Sequence, residues 1–130
     1  MTQTDPIADA LTHLKNSETA SKKIIILRPG SKLLGEILRV MQGKGYISTF
    51  SQKNDMKGIF YEVELNGKIN QVAAIKPRYA VGKHEFEKFE KRFLPARDIG
   101  TMIVSTSQGV MTHQESKEKS IGGRLLAYIY

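Results

Sequence analysis

The sequence predicts an α+β protein of two small subdomains. Residues 1–66 form an N-terminal unit of helix, strand, helix and antiparallel strands, and residues 67–130 form a mainly β unit with short helices. Three observations predict this. Apolar residues recur at helical spacing in three separate places, short β-prone runs lie between and after them, and no repeat or low-complexity linker interrupts the chain. With 130 residues and 40% apolar content, the chain is long enough to bury a core without covalent staples.

Asp5-Pro6 predicts a helix start, because Asp caps exposed amides and Pro fits the first helical position. Ile7, Leu11 and Leu14 then form one stripe, and the polar stretch 16–21 should end it. Residues 23–27 are β-branched and continuous, which predicts a strand buried on both faces, broken by Pro29-Gly30. Ser31 can cap a second helix with the stripe Leu33, Leu34, Ile37, Leu38 and Met41, and Gly43 and Gly45 supply its left-handed end. Residues 46–51 read as a strand, 53–57 as a polar turn, and 59–65 as a strand with Glu62 and Glu64 on the outer face. Asn66-Gly67 predicts a hairpin that pairs 68–75 back onto that strand.

Lys76-Pro77-Arg78 ends the expected meander. The charged stretch 83–92 is threaded by Phe86, Phe89 and Phe93, a core-facing helical stripe closed by Pro95; the competing reading is an aromatic platform for bases. Residues 100–105 predict a strand, and Thr112 with Glu115 forms a capping box for a short helix. Gly122-Gly123 should stop that helix, and residues 124–130 close the chain as a strand.

Composition excludes several chemistries. Without cysteine there is no disulfide framework, no Cys-ligated zinc and no thiol nucleophile. His13, His84 and His113 stand far apart, so they read as surface histidines, and neither a metal site nor a cofactor is expected. No Gly-x-Ser-x-Gly elbow accompanies Ser105 or Ser107, so a hydrolase using them with His113 is a minor alternative and the protein is read as a non-enzyme. The segment Gly43-Lys44-Gly45 lacks the spacing of a phosphate loop. No apolar run approaches the roughly 20 residues of a membrane span, and the first six residues lack signal-peptide character, which predicts a soluble cytoplasmic protein.

Net charge is +7 and uneven: residues 1–65 hold nine basic against seven acidic side chains, residues 66–130 eleven against six. A basic surplus favours a polyanionic partner, since each neutralised phosphate releases counterions. In the more basic half, Ser105, Thr106, Ser107, Gln108 and Gly109 place short polar groups at a strand end beside a glycine. One reading is an ordinary hydrogen-bonded turn. The other is a cradle of donors for phosphates, 2′-hydroxyls and base edges, with Lys76, Arg78 and Arg124 supplying charge if the fold brings them together.

The run from Gly100 to Met111, centred on Ser105-Thr106-Ser107-Gln108-Gly109, resembles the C-terminal signature of the small-subunit ribosomal protein S8 family. Three more segments agree in order and spacing: Asp5 to Asn16 with the family's opening helix, Ser31 to Gly35 with its second, and Gly122 to Tyr130 with its closing strand. The long insert between Lys76 and Gly100, with Arg124, is similar to the archaeal and eukaryotic branch. Two departures are Ser116, where the signature prefers Ala or Gly, and Arg124, where many bacterial members carry an acid.

The resemblance implies a primary rRNA-binding protein that docks on the central domain of small-subunit rRNA and helps it assemble. Carried over by position, the turn Ser105, Thr106, Ser107, Gln108 and Gly109 would meet an irregular RNA helix, with Met111 and Gly123 beside it. Asp5, Thr12, Lys15, Asn16, Ser31 and Lys32 would contribute from the first two helices. The implied partners are rRNA, neighbouring small-subunit proteins that could face the Phe-rich insert, and, for some members, their own messenger RNA. An RNA-binding regulator acting off the ribosome is the runner-up, and a free monomer is expected.

Overall fold

The computed structural model describes residues 5–28, 30–96 and 99–130; the strand break assigned to Pro29 lies outside them. The elements run α1 (Pro6–Thr19), β1 (Ile24–Leu27), α2 (Lys32–Gly43), β2 (Ile47–Asp55), β3 (Gly58–Leu65), β4 (Val72–Ala74), β5 (Ala80–Val81), α3 (Phe86–Phe93), β6 (Thr101–Thr106), β7 (Gly109–Thr112), α4 (His113–Glu118) and β8 (Gly123–Ile129). The architecture is α+β, in two compact units: one extends through Asn70 and the other is Gln71–Tyr130.

In the first unit the Asp5 carboxylate accepts from the Ile7 and Ala8 amides at 3.1 and 3.2 Å, and Pro6 takes the first helical position. The helix does not fade at residue 16 but runs to Thr19, because Ser17 continues the buried face. It ends where Ser21 adopts φ +57°, with Ser21 N–H bonded to Glu18 O and Lys22 N–H to Ser17 O. Ser31 caps α2 through the Leu34 amide, and Gly45, at φ +81°, closes it. Leu11, Leu14, Leu34, Ile37, Leu38 and Met41 are wholly buried against the strands.

The strand order is β1-β3-β2, antiparallel throughout. Two expectations are corrected here. β1 is not buried on both faces: Ile25 and Leu27 point inward, whereas Ile24 and Ile26 remain 59% and 44% exposed. The run 53–57 is mostly strand, since β2 pairs with β3 down to Asp55 opposite Gly58. Lys53 bridges Glu62 at 3.2 Å and Arg28 grips Asp55 at 2.6 Å, holding this ribbon together.

A third correction concerns Asn66-Gly67, which makes no hairpin. β3 already has a partner on each edge, so no edge is left for residues 68–75. Gly67 takes φ +77°, and Asn66 uses its side chain locally, accepting from the Lys68 amide and donating to Gly45 O. The chain departs instead into the second unit, where β4 pairs with β8.

There β8 is the central strand. β6 lies along one side of it, β4 and then β5 along the other, and β7 outside β6, all antiparallel. The α3 stripe faces the core as expected: Phe86 and Phe89 are buried and Phe93 half-buried, with Ile75, Val81, Met102, Val104 and Leu125. Thr112 caps α4 by accepting from the Glu115 amide at 3.1 Å. The helix is not stopped by the glycine pair. Ser120, at φ +55°, closes it, with Ser120 N–H on Lys117 O and Ile121 N–H on Ser116 O. The buried Ser116 hydroxyl donates to Ile121 O, so this hydroxyl in a small-residue position secures the same turn.

Candidate nucleic-acid interface

The residues Ser105 to Gly109 span the β6–β7 hairpin. Thr106 pairs with Gly109, leaving Ser107 and Gln108 as the connection. Neither of these has a positive φ, and the required left-handed geometry falls on Gly109 at φ +112°. The Thr106 hydroxyl accepts from the Gln108 amide at 3.1 Å and donates to Gly109 O at 2.8 Å. Thr106 therefore holds the turn. The hydroxyls of Ser105 and Ser107 and the carboxamide of Gln108 have no hydrogen-bond partner among the described residues, and Ser107 and Gln108 are exposed.

The sheet brings Arg124 to this hairpin, a convergence not readable from the sequence. Ala80, Arg124, Ser105 and Val110 form one cross-strand row through β5, β8, β6 and β7. Arg124 is exposed and has no ion-pair partner among the described residues. Arg78 lies two residues before Ala80, and Lys76 precedes it on the same β4–β5 connection; both are exposed. The basic side chains expected around the turn are thus on the strand beside it and on the segment that leads to β5.

Gly122 and Gly123 have a packing role. A Cβ on Gly122 would run into Val81 O, and one on Gly123 into Ser105 O, so the pair lets β8 start between β5 and β6. Met111 lies opposite Val104 and is 5% exposed, with its sulfur 4.0 Å from the Thr106 hydroxyl; it supports the hairpin from below.

In the first unit, the Asp5 carboxylate and the Ser31 hydroxyl are engaged as caps. The Thr12 hydroxyl donates to Ala8 O, Lys15 and Asn16 follow on the same helical face, and Lys32 is exposed at the start of α2. The Lys15, Asn16 and Lys32 side chains have no partner among the described residues.

His113 departs from the surface reading. It is 2% exposed; its Nδ1 accepts from the Met102 amide at 3.0 Å, and its Nε2 lies 3.0 Å from Glu90, whose same oxygen takes Lys117 at 2.6 Å. Burial holds the imidazole below its usual pKa, and nearby Lys117 adds to that while Glu90 opposes it. Both ring nitrogens serve to join β6, α4 and α3, and neither reaches Ser105 or Ser107. The capping box partly signals this position, since it places His113 first in a helix whose start lies against β6.

One end of this sheet therefore presents unpartnered hydroxyls, a carboxamide and a guanidinium side by side, all of them groups able to donate to an anionic ligand. The family model described as Ribosomal protein S8 matches residues 5–130. The chain belongs to that family: it is an rRNA-binding ribosomal protein of the small subunit, a structural component of the translation apparatus.

Proposed function

We propose that this protein binds the central domain of small-subunit rRNA and promotes its assembly, with the β6–β7 hairpin and Arg124 as the recognising surface. The observation that supports this reading is the set of unpartnered polar groups on Ser105, Ser107, Gln108 and Arg124 at one end of a single sheet. Short side chains fixed on a sheet suit an irregular RNA helix, whose sugar hydroxyls and unstacked base edges are read at close range. Gly109 allows the turn to approach RNA without a Cβ in the way. Lys76 and Arg78, with Lys15, Asn16 and Lys32 in the first unit, supply contacts to phosphate that position the RNA rather than read it, whereas the Thr12 hydroxyl, its proton given to Ala8 O, is left only to accept. Asp5 and Ser31 act through the helix starts they cap. The site of action is the cytoplasm.

The test is a filter-binding titration of folded small-subunit rRNA central domain with excess tRNA as competitor. The S105A/S107A double variant should lose about 1–3 kcal/mol of specific affinity, as expected for hydroxyls bonded to buried acceptors. Unchanged affinity would remove the hairpin from the interface.

A further inference from the structure

The α3 segment contributes to a second feature on the same unit. Phe89, Phe93, Tyr128 and Tyr130 form a continuous row of rings, with centroids 6.5, 5.4 and 6.2 Å apart and planes within 25° of parallel. Tyr79 joins it at 5.4 Å from Phe89. Phe89 is buried, but Tyr79, Phe93, Tyr128 and Tyr130 are half-buried, and the three tyrosine hydroxyls have no hydrogen-bond partner among the described residues. Past Tyr130 no further described ring continues the row.

The charges around this row are sorted. Arg92 lies 5.1 Å from the centroids of both Tyr79 and Phe93, and Lys88 lies 5.4 Å from that of Phe89. Two α3 carboxylates are engaged by other cations: Glu90 by His113 and Lys117, and Glu87 by Lys91. Stacked aromatic rings with cations over them are a pattern that takes unpaired nucleotides, because every base has a π-face and every nucleotide a phosphate.

We propose that this row is a second RNA contact, for a short unpaired segment: one base continues the stack on Tyr130 and the phosphates run back toward Arg92 and Lys88. It extends the rRNA-binding role of the family to a part of the molecule distinct from the hairpin, and it does not rest on the hairpin reading.

The experiment titrates the protein with an oligoadenylate of about ten nucleotides, and separately with inorganic polyphosphate, at low salt. The chain has five tyrosines and no tryptophan, so its own emission reports stacking. Oligoadenylate should quench tyrosine emission and bind more tightly than polyphosphate. Y130A should weaken oligoadenylate binding by roughly 5- to 150-fold, the effect of losing one base–aromatic stack, and leave polyphosphate binding unchanged. Y130F should restore it, and R92Q should weaken both ligands. If Y130A fails to fold by circular dichroism, Y130L, which keeps bulk but no ring, takes its place. The hairpin is read separately, with S105A/S107A on folded rRNA, and the row with the Tyr130 and Arg92 variants on oligoadenylate, so the two readings fail on different ligands and different residues. Oligoadenylate bound no better than polyphosphate, or a ringless variant equal to wild type, overturns the proposal and leaves the row as packing.

Discussion

Replacing Gly123 with Ala should loosen the sheet that presents the hairpin, and the size of the effect follows from what surrounds it. The added Cβ would collide with Ser105 O, and it would lie 2.9 Å from Val104 Cγ1 and 3.0 Å from the Ser105 carbonyl carbon. Two of these three atoms are backbone of β6, which cannot turn aside as a side chain can. Overpacking of this kind costs about 1–3 kcal/mol, and a weakened β6–β8 hydrogen bond adds about 1. The reduced freedom of the unfolded chain returns about 0.4–1 kcal/mol, leaving a net loss of about 1–3.5. Gly43, in the last turn of α2, is the control: a Cβ there meets nothing within 4 Å. Gly43→Ala should stabilise by about 0.5–1 kcal/mol. Urea unfolding followed by circular dichroism reads both signs, and titration with folded rRNA should show Gly123→Ala alone weakened, since Arg124 and Ser105 share the displaced row. A Gly123→Ala protein as stable as wild type would refute the argument from close approach.

Thr106→Ala should cost about 1–2 kcal/mol in urea unfolding, because it frees both the Gln108 amide and Gly109 O, whereas Ser107→Ala should stay within about 0.5 kcal/mol of wild type. Ser120→Gly should raise the melting temperature, relieving about 1 kcal/mol of left-handed strain at φ +55°. His113 is held below its ordinary value of 6.5, so the unfolded chain takes up the proton first. The stability this residue contributes is complete above that value and declines as pH falls below it; urea midpoints at pH 7.5 and 5.5 should differ less in His113→Gln than in wild type.

The helices were legible because their signals are local. Asp5-Pro6, Ser31 and Thr112 each start a helix where their side chains predict, and the stripes of α2 and α3 face the core. The strands were less so, since a strand's neighbours come from anywhere in the chain. Asn66-Gly67 carries a strong turn signal, yet the β3 edges are filled by β1 and β2, and no short-range pattern records that occupancy. Ile24 and Ile26 are exposed where the sequence predicts burial, because an apolar run does not say how many faces its sheet has covered. For the proposed interface, the polar run and the flanking basic residues are visible in the sequence. Their division of labour is not, because it depends on the fold: the Thr106 hydroxyl is consumed within the turn while its serine neighbours have no partner among the described residues, and Arg124 stands beside Ser105.

The doubly bonded Thr106 has a consequence for the heat of association. A hairpin whose turn is closed by its own side chain gives up little backbone freedom when a partner arrives, so the ordering cost on the protein side of the proposed interface falls on side chains such as Gln108 and Arg124 rather than on the main chain. Calorimetry on this chain with folded rRNA should therefore return a heat-capacity change set by contact area and by whatever ordering the RNA undergoes. Thr106→Ala should move that signature toward coupled folding, with a more favourable enthalpy offset by a larger entropic loss.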